Sequence, residues 1–391
     1  MIPYIARKNI THRPLNALLS LVLLSAGVAI ISLLILLSER VRRQFEANLE
    51  GIDMVMGAKG SPLQLILSAI YQIDAPTGNI RLSEALPWMQ QRLVEQAIPL
   101  AYGDSYAGYR IVGTTPSYWE HYGASISQGR AFSEDFEAVV GAVAAQRLGL
   151  SLGSTFLSVH GISEEGEAHE HPYRVVGILS PTGKVVDNLI LCSLESVWHI
   201  HAHALEDDTA REITAVLFKF RSPMPLVQWP RQVAEKTQMQ LVSPAVEVNR
   251  LLSLIGVGIE ALTWLGWAIV ALAALSVFVA LYRALEERRY ELALMRAMGA
   301  SRGQVVQLLV CESLWLCLAG YVAGLLLSRA GLWAISQAAE REFRLSLEQY
   351  GFRWMQEGSL LLAILMVGLL AALIPAWKAY RMNIAQTLQY A

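Results

Sequence analysis

Charged residues are scarce in this chain. Asp, Glu, Lys and Arg make up 16% of its 391 residues, against 54% for hydrophobic residues, whereas a soluble domain usually carries about 25% charged residues. The acidic and basic residues nearly cancel, leaving a net charge of -2, so the chain lacks the excess of positive charge on which nucleic-acid binding depends. The composition therefore indicates a membrane protein with no nucleic-acid partner.

Cysteine is also rare, and no common catalytic motif stands out. The three cysteines, Cys192, Cys311 and Cys317, form neither a disulfide framework nor a CxxC metal site. The chain has no G-x-x-x-x-G-K-[ST] loop, so it is not expected to bind the phosphates of ATP itself. Neither a nucleophile elbow nor an HExxH motif stands out, and the run His169–His171 does not match the zinc-protease spacing. A catalytic function is therefore not expected.

The chain does contain long apolar runs. A membrane-spanning helix needs about 20 mostly apolar residues, and four segments satisfy this. The predicted spans are residues 15–38, 251–283, 305–328 and 359–380. The first is too long for a cleaved signal peptide, and SERVRRQF follows it where a small-residue cleavage site would stand.

Lys and Arg in the short loops predict the orientation. Ten of these residues lie in residues 1–14, 284–304 and 381–391 or at the adjoining span ends, where Arg283 and Lys378 are counted, and four lie in the loop 329–358 on the other side. We therefore expect an amphipathic N-terminal helix, a short helix and the C-terminal tail in the cytoplasm. Residues 39–250 are expected outside, together with the short loop.

The large external segment carries the pattern of an α+β domain. Alternation predicts strands at Ala107–Gly113, Tyr173–Leu179 and Glu212–Phe220, and helical runs occupy Leu82–Gln96 and Glu137–Leu148. Residues 39–50 and 245–260 are expected to continue the first two spans outward as a helical stalk.

The cytoplasmic stretch EERRYELALMRAMGASRGQVVQLL begins at Glu286. Tyr290, Leu294 and Met298 recur at i, i+4 and i+8 and share one helix face. Gly299 can end this helix, and Ser301 with Gln304 matches the capping box of a following helix. Such a short helix can transmit force from a partner to the spans. It can equally lie on the bilayer surface as an interfacial helix.

The same region resembles a known family. ERRYELALMRAMGASRGQVVQLLVCESLWLCLAGYVAGL resembles the signature of FtsX/MacB-like permeases of ABC transporters, and GLLAALIPAWKAYRMNIAQTLQY resembles the family's C-terminal end. VVGAVAAQRLGLSLGSTF and YRVVGILSPTGKVVDNLILCSLESV are similar to its external domain. The resemblance implies an α-helical inner-membrane protein with four transmembrane helices and a large α+β, MacB-like periplasmic core domain inserted between helices 1 and 2.

The resemblance also implies partners and a mechanism. Members of this group, the type VII ABC transporters, work as dimers of permeases with ATPase subunits that bind ATP and Mg²⁺. The short helix would be the coupling helix that docks on the ATPase, through Glu287, Arg288, Glu291, Arg296, Ala297, Gly299 and Ala300. Its motion would reach the periplasmic domain and serve export, extraction of lipoproteins or lipids, or activation of a periplasmic partner.

Four residues in or near the spans are further candidates. Gly320 and Gly324 form a GxxxG pair, which permits close packing of helices. Glu260 and Glu312 are acidic residues at or within predicted spans, where a carboxylate is costly and is a functional candidate by default. Glu312 can also simply reach the interface or a neighbouring side chain, and Glu260 can belong to the stalk.

Histidines are concentrated in the external segment. The six candidates for a metal site are His160, His169, His171, His199, His201 and His203. Imidazole with carboxylate suits zinc and related metals, and HIHAH would place three imidazoles on one face of a strand. The spacing matches no established zinc motif, so solvated loops explain the pattern as well as a permease of a zinc-related system does.

A membrane receptor or scaffold without transport activity is the competing class. An external domain, spans and a cytoplasmic helix could transmit a signal if a partner supplied the output. Co-purification with an ATPase separates this class from a transporter permease.

Overall fold

The computed structural model describes residues 14–161, 168–201, 211–342 and 354–381. The N-terminal segment 1–13 and the tail beyond residue 381, which were expected in the cytoplasm, lie outside the described residues. The chain divides into two compact units. One contains the long apolar helices and the other centres on Val41–Leu254, and each is described separately.

Within the described residues, four helices are long and apolar enough to cross a membrane. They are α1 (Pro14–Leu49), α8 (Pro244–Glu287), α10 (Arg302–Glu342) and α11 (Trp354–Tyr380). The expected four membrane helices are therefore present, but their ends differ from the predicted spans. Part of the predicted loop 329–358 is helical, because α10 continues to Glu342 and α11 begins at Trp354, and its external position stays a prediction.

All four helices are longer than a hydrocarbon core is thick, and two of them, α8 and α1, contain the predicted stalk segments. α8 has 44 residues, which makes it about 66 Å long at 1.5 Å per residue, against about 30 Å for a hydrocarbon core. α1 has 36 residues. Both continue through the predicted stalk segments, where Phe45 and Leu49 of α1 and Val248 and Leu252 of α8 join a core of the α+β unit.

The membrane unit is held together by small residues and hydroxyls. Ser20 Oγ lies 2.9 Å from Ser276 Oγ, and Ser328 Oγ donates to Ser32 Oγ at 3.1 Å. Hydroxyl pairs of this kind stabilise helix contacts where no water competes. They join α1 to α8 and α1 to α10.

The other unit is an α+β domain with strands and short helices interleaved along the chain. In the described part of the chain, the strands are β1 (Met54–Ala58), β2 (Ile80–Arg81), β3 (Val94–Tyr106), β4 (Tyr109–Gly113), β5 (Ile126–Gly129), β6 (Glu137–Val140), β7 (Thr155–His160), β8 (Ala168–Leu179), β9 (Ile190–Cys192), β10 (Glu212–Ile213), β11 (Ala215–Phe220) and β12 (Met239–Val242). The short helices are α2 (Pro62–Ala69), α3 (Leu82–Met89), α4 (Ser117–His121), α5 (Ala142–Leu148), α6 (Leu194–His201) and α7 (Met224–Lys236), with α9 (Arg289–Ala297) in the membrane unit.

One large sheet organises this domain. Its order is β12-β1-β11-β3-β4-β9-β6-β8-β5, with β7 paired to β3 and β8, and β2 pairs with β10 apart from it. Alternate residues belong to two hydrophobic cores on the two faces. Met54 and Met56 join one core and Val55 joins the other, because successive side chains of a strand point to opposite faces. Strands buried on both faces have nearly continuous apolar sequences.

The long strand β3 bends in its second half and thereby changes partners. Its first half pairs with β11, its register with β4 shifts between Tyr102 and Ser105, and Asp104 pairs with His160 of β7. The turn after β3 is formed by Ala107 and Gly108, which both have positive φ. The predicted strand Ala107–Gly113 is therefore wrong at its first two residues, which form the hairpin turn.

Candidate functional site

The short helix α9 is separated from α8 by a local break. Arg288 leaves helical geometry, with φ -105° and ψ 15°. The chain therefore turns between α8 and α9, and α9 is the separate short helix that the sequence predicted. The buried side of α9 packs through Leu292 and Ala293 against a core that includes Leu285 of α8, Val305 of α10 and Ala379 of α11. α9 is thus attached to three membrane helices.

The end of α9 is fixed by two capping motifs that the sequence predicted. Gly299 has φ +106°, its N–H donates to the Arg296 carbonyl at 3.1 Å, and the Ala300 N–H donates to Met295 at 3.0 Å. This is the Schellman arrangement, in which glycine takes a conformation that other residues rarely adopt. Ser301 and Gln304 then bond reciprocally at 2.8 and 3.2 Å and start α10 as a capping box.

The outer side of α9 is apolar. Tyr290, Leu294 and Met298 are all exposed and lie on one face at i, i+4 and i+8. Charged residues of both signs flank this face, namely Glu287, Arg289 and Glu291, and all three are exposed. We call Tyr290, Leu294 and Met298 the outer face of α9.

The residues carried over from the family motif do not all point outward. Glu287, Glu291, Ala297 and Gly299 are exposed, whereas Arg296 and Ala300 are half-buried. Arg288 turns toward the bundle, where its Nη1 lies 3.4 Å from Glu312 Oε1. Glu312 is buried, and its carboxylate contacts the Arg288 guanidinium at the junction of α8 and α9.

The other residues singled out within the spans have distinct surroundings. A Cβ atom at Gly320 would lie 2.7 Å from Leu24 Cβ, and one at Gly324 would lie 2.6 Å from Val28 Cβ. The pair therefore faces α1 of the same chain. Glu260 is exposed on α8, which continues on both sides of it.

Two ion pairs of the membrane unit were missed by sequence reasoning. Glu357 is buried, pairs with Arg329, and accepts a bond from the Tyr321 hydroxyl at its carbonyl, at 2.8 Å. Lys378 contacts Glu286 and lies 2.5 Å from the Tyr282 hydroxyl. Residues 329 and 357 fell in the predicted loop, so their pairing had no signal in the hydropathy pattern.

In the α+β unit, two of the six candidate histidines lie together beside an aspartate. His169 Nε2 lies 3.2 Å and His160 Nδ1 lies 3.7 Å from the same oxygen, Oδ1 of Asp104. Ser158 Oγ donates to the other oxygen, Oδ2, at 3.2 Å. β3, β7 and β8 bring these residues together, because β7 pairs with both other strands. We call Asp104, His160 and His169 the His–Asp cluster.

The remaining histidines lie elsewhere or in a different structure from the one predicted. His171 stacks on Phe136 with ring centroids 5.2 Å apart, and His199 Nδ1 pairs with Asp135 at 2.8 Å. The strand predicted for HIHAH is wrong over its first three residues, because His199–His201 belong to helix α6. His203 lies outside the described residues.

A buried arginine near the bend of β3 has a structural explanation. Arg110 donates to the Asp74 carbonyl at 2.8 Å and to Gln72 Oε1 at 3.1 Å, and its guanidinium lies 5.1 Å from the Tyr102 ring centre. Burial lowers the pKa of Arg110 and raises the pKa of Tyr102. These contacts tie the segment after α2 to β4.

The letters G-x-S-x-G do occur once, at Gly149–Gly153. A nucleophile elbow places its serine at a sharp turn from a strand into a helix. Here the segment follows α5 and precedes β7, and the Ser151 N–H donates to Ser154 Oγ in a turn. The serine is therefore a turn residue.

Comparison with known proteins gives two matches to family models. The model described as MacB-like periplasmic core domain matches residues 17–229, more than half of the chain, and the model described as FtsX-like permease C-terminal matches residues 264–384. No functionally curated protein matches the chain.

Two solved structures are among those similar to it. The periplasmic region of MacB from Actinobacillus actinomycetemcomitans is 14% identical, with 52% of this chain and 95% of that one covered and a TM-score of 0.35. The extracellular domain of the noncanonic ABC-type transporter YknZ from Gram-positive bacteria is 13% identical, with coverages of 49% and 99% and a TM-score of 0.32. On the family matches, this chain belongs to the FtsX/MacB-like family of ABC transporter permeases.

Proposed function

We propose that this chain is the membrane subunit of a mechanotransmitting ABC transporter. A separate ATPase subunit, which holds ATP and Mg²⁺, docks on the outer face of α9. The chain's termini and α9 face the cytoplasm, and its α+β domain lies in the periplasm. The complex contains two permeases, this chain with a second copy or a related chain. The observation that carries the proposal is the exposed apolar face formed by Tyr290, Leu294 and Met298.

The charges around this face favour a protein partner over a lipid surface. A helix that lies on an anionic membrane usually presents a polar face rich in Lys and Arg. In α9 the exposed polar residues beside the face carry both signs, with Glu287 and Glu291 near Arg289. Exposed apolar side chains with a mixed polar rim are typical of protein interfaces.

The attachment of α9 allows force to pass into the membrane helices. Its inner face shares a core with α8, α10 and α11, and the Arg288–Glu312 contact joins the break to α10. α8 is a continuous helix from Pro244 to Glu287. Displacement of α9 by the ATPase would therefore turn or tilt a helix whose other end packs in the α+β core through Val248 and Leu252.

The work done by the periplasmic domain falls into one of three classes. Export of a periplasmic cargo, extraction of a lipoprotein or lipid, and activation of a periplasmic partner protein all require only that this domain change position. None requires a channel through the four helices.

A pull-down of the tagged chain from detergent-solubilised membranes, followed by mass spectrometry, tests the docking. The native chain should bring down an ABC ATPase, and Leu294→Glu should lower its recovery at least about tenfold, since a charge at an apolar interface is desolvated without a partner. Val227→Glu is the matched control, because Val227 is an exposed apolar residue of α7. It should leave recovery unchanged.

Two results would contradict the proposal. If Leu294→Glu retains the ATPase as well as the native chain does, the outer face of α9 is not the docking surface. If the native chain brings down no ATPase while its permease partner remains bound, the receptor or scaffold interpretation is favoured.

A further inference from the structure

The His–Asp cluster has the geometry of a metal site. In tetrahedral zinc sites, Zn–N and Zn–O bonds of about 2.0–2.2 Å place the donor atoms about 3.3–3.5 Å apart. Two of the separations are 3.2 and 3.7 Å, and the three donor atoms all lie within 4.8 Å of one another. These separations are close to those of donor atoms that share one ion.

The buried side chain of Asp104 is held in an orientation that suits a metal ligand. Only 3% of the Asp104 side chain is exposed, and a buried carboxylate is costly unless it is bonded. Ser158 satisfies Oδ2, which leaves Oδ1 directed at both imidazoles. Outer hydrogen bonds of this kind orient metal-binding carboxylates.

The three donors also come from three neighbouring strands. They lie on β3, β7 and β8, which are hydrogen-bonded neighbours, and sites built on strands are more precise than sites on loops. β7 and β8 pair at Val159 and Ala168, so their chain direction places His160 and His169 at the same end of the hairpin.

The two imidazoles approach the carboxylate from different degrees of burial. His169 is 23% exposed and its Nε2 lies 3.2 Å from Asp104 Oδ1. His160 is 64% exposed and its Nδ1 lies 3.7 Å from the same oxygen. Two imidazole nitrogens and one carboxylate oxygen thus face one another at the edge of the domain, where an ion could enter from solvent.

We propose that Asp104, His160 and His169 bind a divalent transition-metal ion, with Zn²⁺ as the preferred species. Two imidazoles and one carboxylate suit Zn²⁺, whereas Ca²⁺ and Mg²⁺ prefer an all-oxygen shell. Three protein ligands leave a fourth position for water or an incoming ligand. An open position lets the bound ion accept a further ligand from a partner, which suits sensing or transfer of metal in the external domain. The site requires neither ATP nor the docking of an ATPase.

Isothermal titration calorimetry with ZnCl₂ tests the site on the full chain in detergent micelles, after removal of bound metal by chelation and dialysis. The native protein should bind one Zn²⁺ at this site. His160→Ala, His169→Ala and Asp104→Asn should each weaken that binding at least about tenfold. His199→Ala removes a histidine that also pairs with an aspartate and should leave it unchanged.

His160→Ala decides the outcome if the buried variants fail to fold, because this exposed side chain can be removed without a cavity. A second measurement loads the protein with Co²⁺, which should show the visible absorption of a tetrahedral site in the native chain and lose it in His160→Ala. The proposal is overturned if Zn²⁺ does not bind, if binding survives all three cluster variants, or if His199→Ala abolishes it equally.

Discussion

At the scale of single residues, the carboxylate of Glu137 is held by several donors. The Arg130 guanidinium bonds both of its oxygens, and the N–H groups of Ser133 and Glu134 donate at 2.9 and 3.2 Å. Bonding by Arg130 first, and then by the two backbone groups, lowers the pKa of Glu137 to about 2. Glu137 is the first residue of β6. Its ionised carboxylate therefore ties the preceding loop, which contains Arg130, Ser133 and Glu134, to the sheet.

The stability of the chain should therefore depend on pH at this residue. Because its pKa is lowered by folding, ionised Glu137 stabilises the fold above the unfolded value of about 4.3, and this contribution disappears as the pH falls toward 2. Glu137→Gln should lower the free energy of unfolding by about 1–3 kcal/mol at pH 7. The difference from the native chain should shrink between pH 4 and pH 2, followed by tryptophan fluorescence in denaturant.

Glu95→Gln is the control for this measurement. Glu95 pairs with Lys219 at 2.6 Å, but both side chains are more than 40% exposed, and exposed pairs contribute about 0–1 kcal/mol. An equal loss of stability in Glu137→Gln and Glu95→Gln, or a difference that does not change with pH, would refute the assignment.

The histidine positions show what sequence reasoning could find at this scale. It identified His160 and His169, because imidazoles beside acidic residues are a compositional signal. It missed Asp104, since the sequence YGDSY does not reveal the bend in β3 that turns this carboxylate toward β7. It also placed His171 in one group with them, although His171 stacks on Phe136, and it took His199 as part of a second group, although His199 pairs with Asp135.

At the scale of elements, close contact between α1 and α10 depends on glycine. Gly324 faces Val28 Cβ and the Ser25 carbonyl, which would lie 2.6 and 2.8 Å from an added Cβ. Neither neighbour can move without displacing the α1 backbone. The GxxxG pair thus sets the distance between two helices of one chain.

A large residue at this position should separate the helices. Gly324→Leu is expected to destabilise the membrane unit by about 1–3 kcal/mol, the usual cost of overpacking, and to lower its apparent Tm in detergent. Thermal unfolding followed by size-exclusion chromatography measures the change. Gly258→Leu is the control, because a side chain at Gly258 of α8 meets nothing within 4 Å. A Tm unchanged in Gly324→Leu, or lowered equally by both, would be inconsistent with this packing.

In the external segment, the predicted strands agree with the structure better than the predicted helical runs do. The strands Tyr173–Leu179 and Glu212–Phe220 were predicted correctly apart from a break at Thr214. The helical runs Leu82–Gln96 and Glu137–Leu148 are wrong in part, because the first ends in β3 and the second begins with β6. A short apolar run buried on both faces has no period that separates strand from helix.

At the scale of the whole molecule, the sequence was sufficient for the class but not for the topology. Composition and four apolar runs predicted the membrane helices. The pattern of residues 39–250, together with the resemblance of the chain to a known family, predicted the inserted α+β domain. The order of the large sheet places β12 beside β1 and β9 between β4 and β6. Such pairings join residues far apart in sequence and are decided by packing, which local patterns do not contain.

The measurement that tests the central claim most directly is hydrogen exchange on the complex of this chain with its ATPase in lipid nanodiscs, with and without ATP. If α9 transmits the motion of the ATPase, ATP should alter amide protection in α9 and also within Val41–Leu254, where contacts of the external domain change. Leu294→Glu should abolish both effects. Changes confined to α9 and its neighbours, with none in Val41–Leu254 while the complex hydrolyses ATP, would contradict the account.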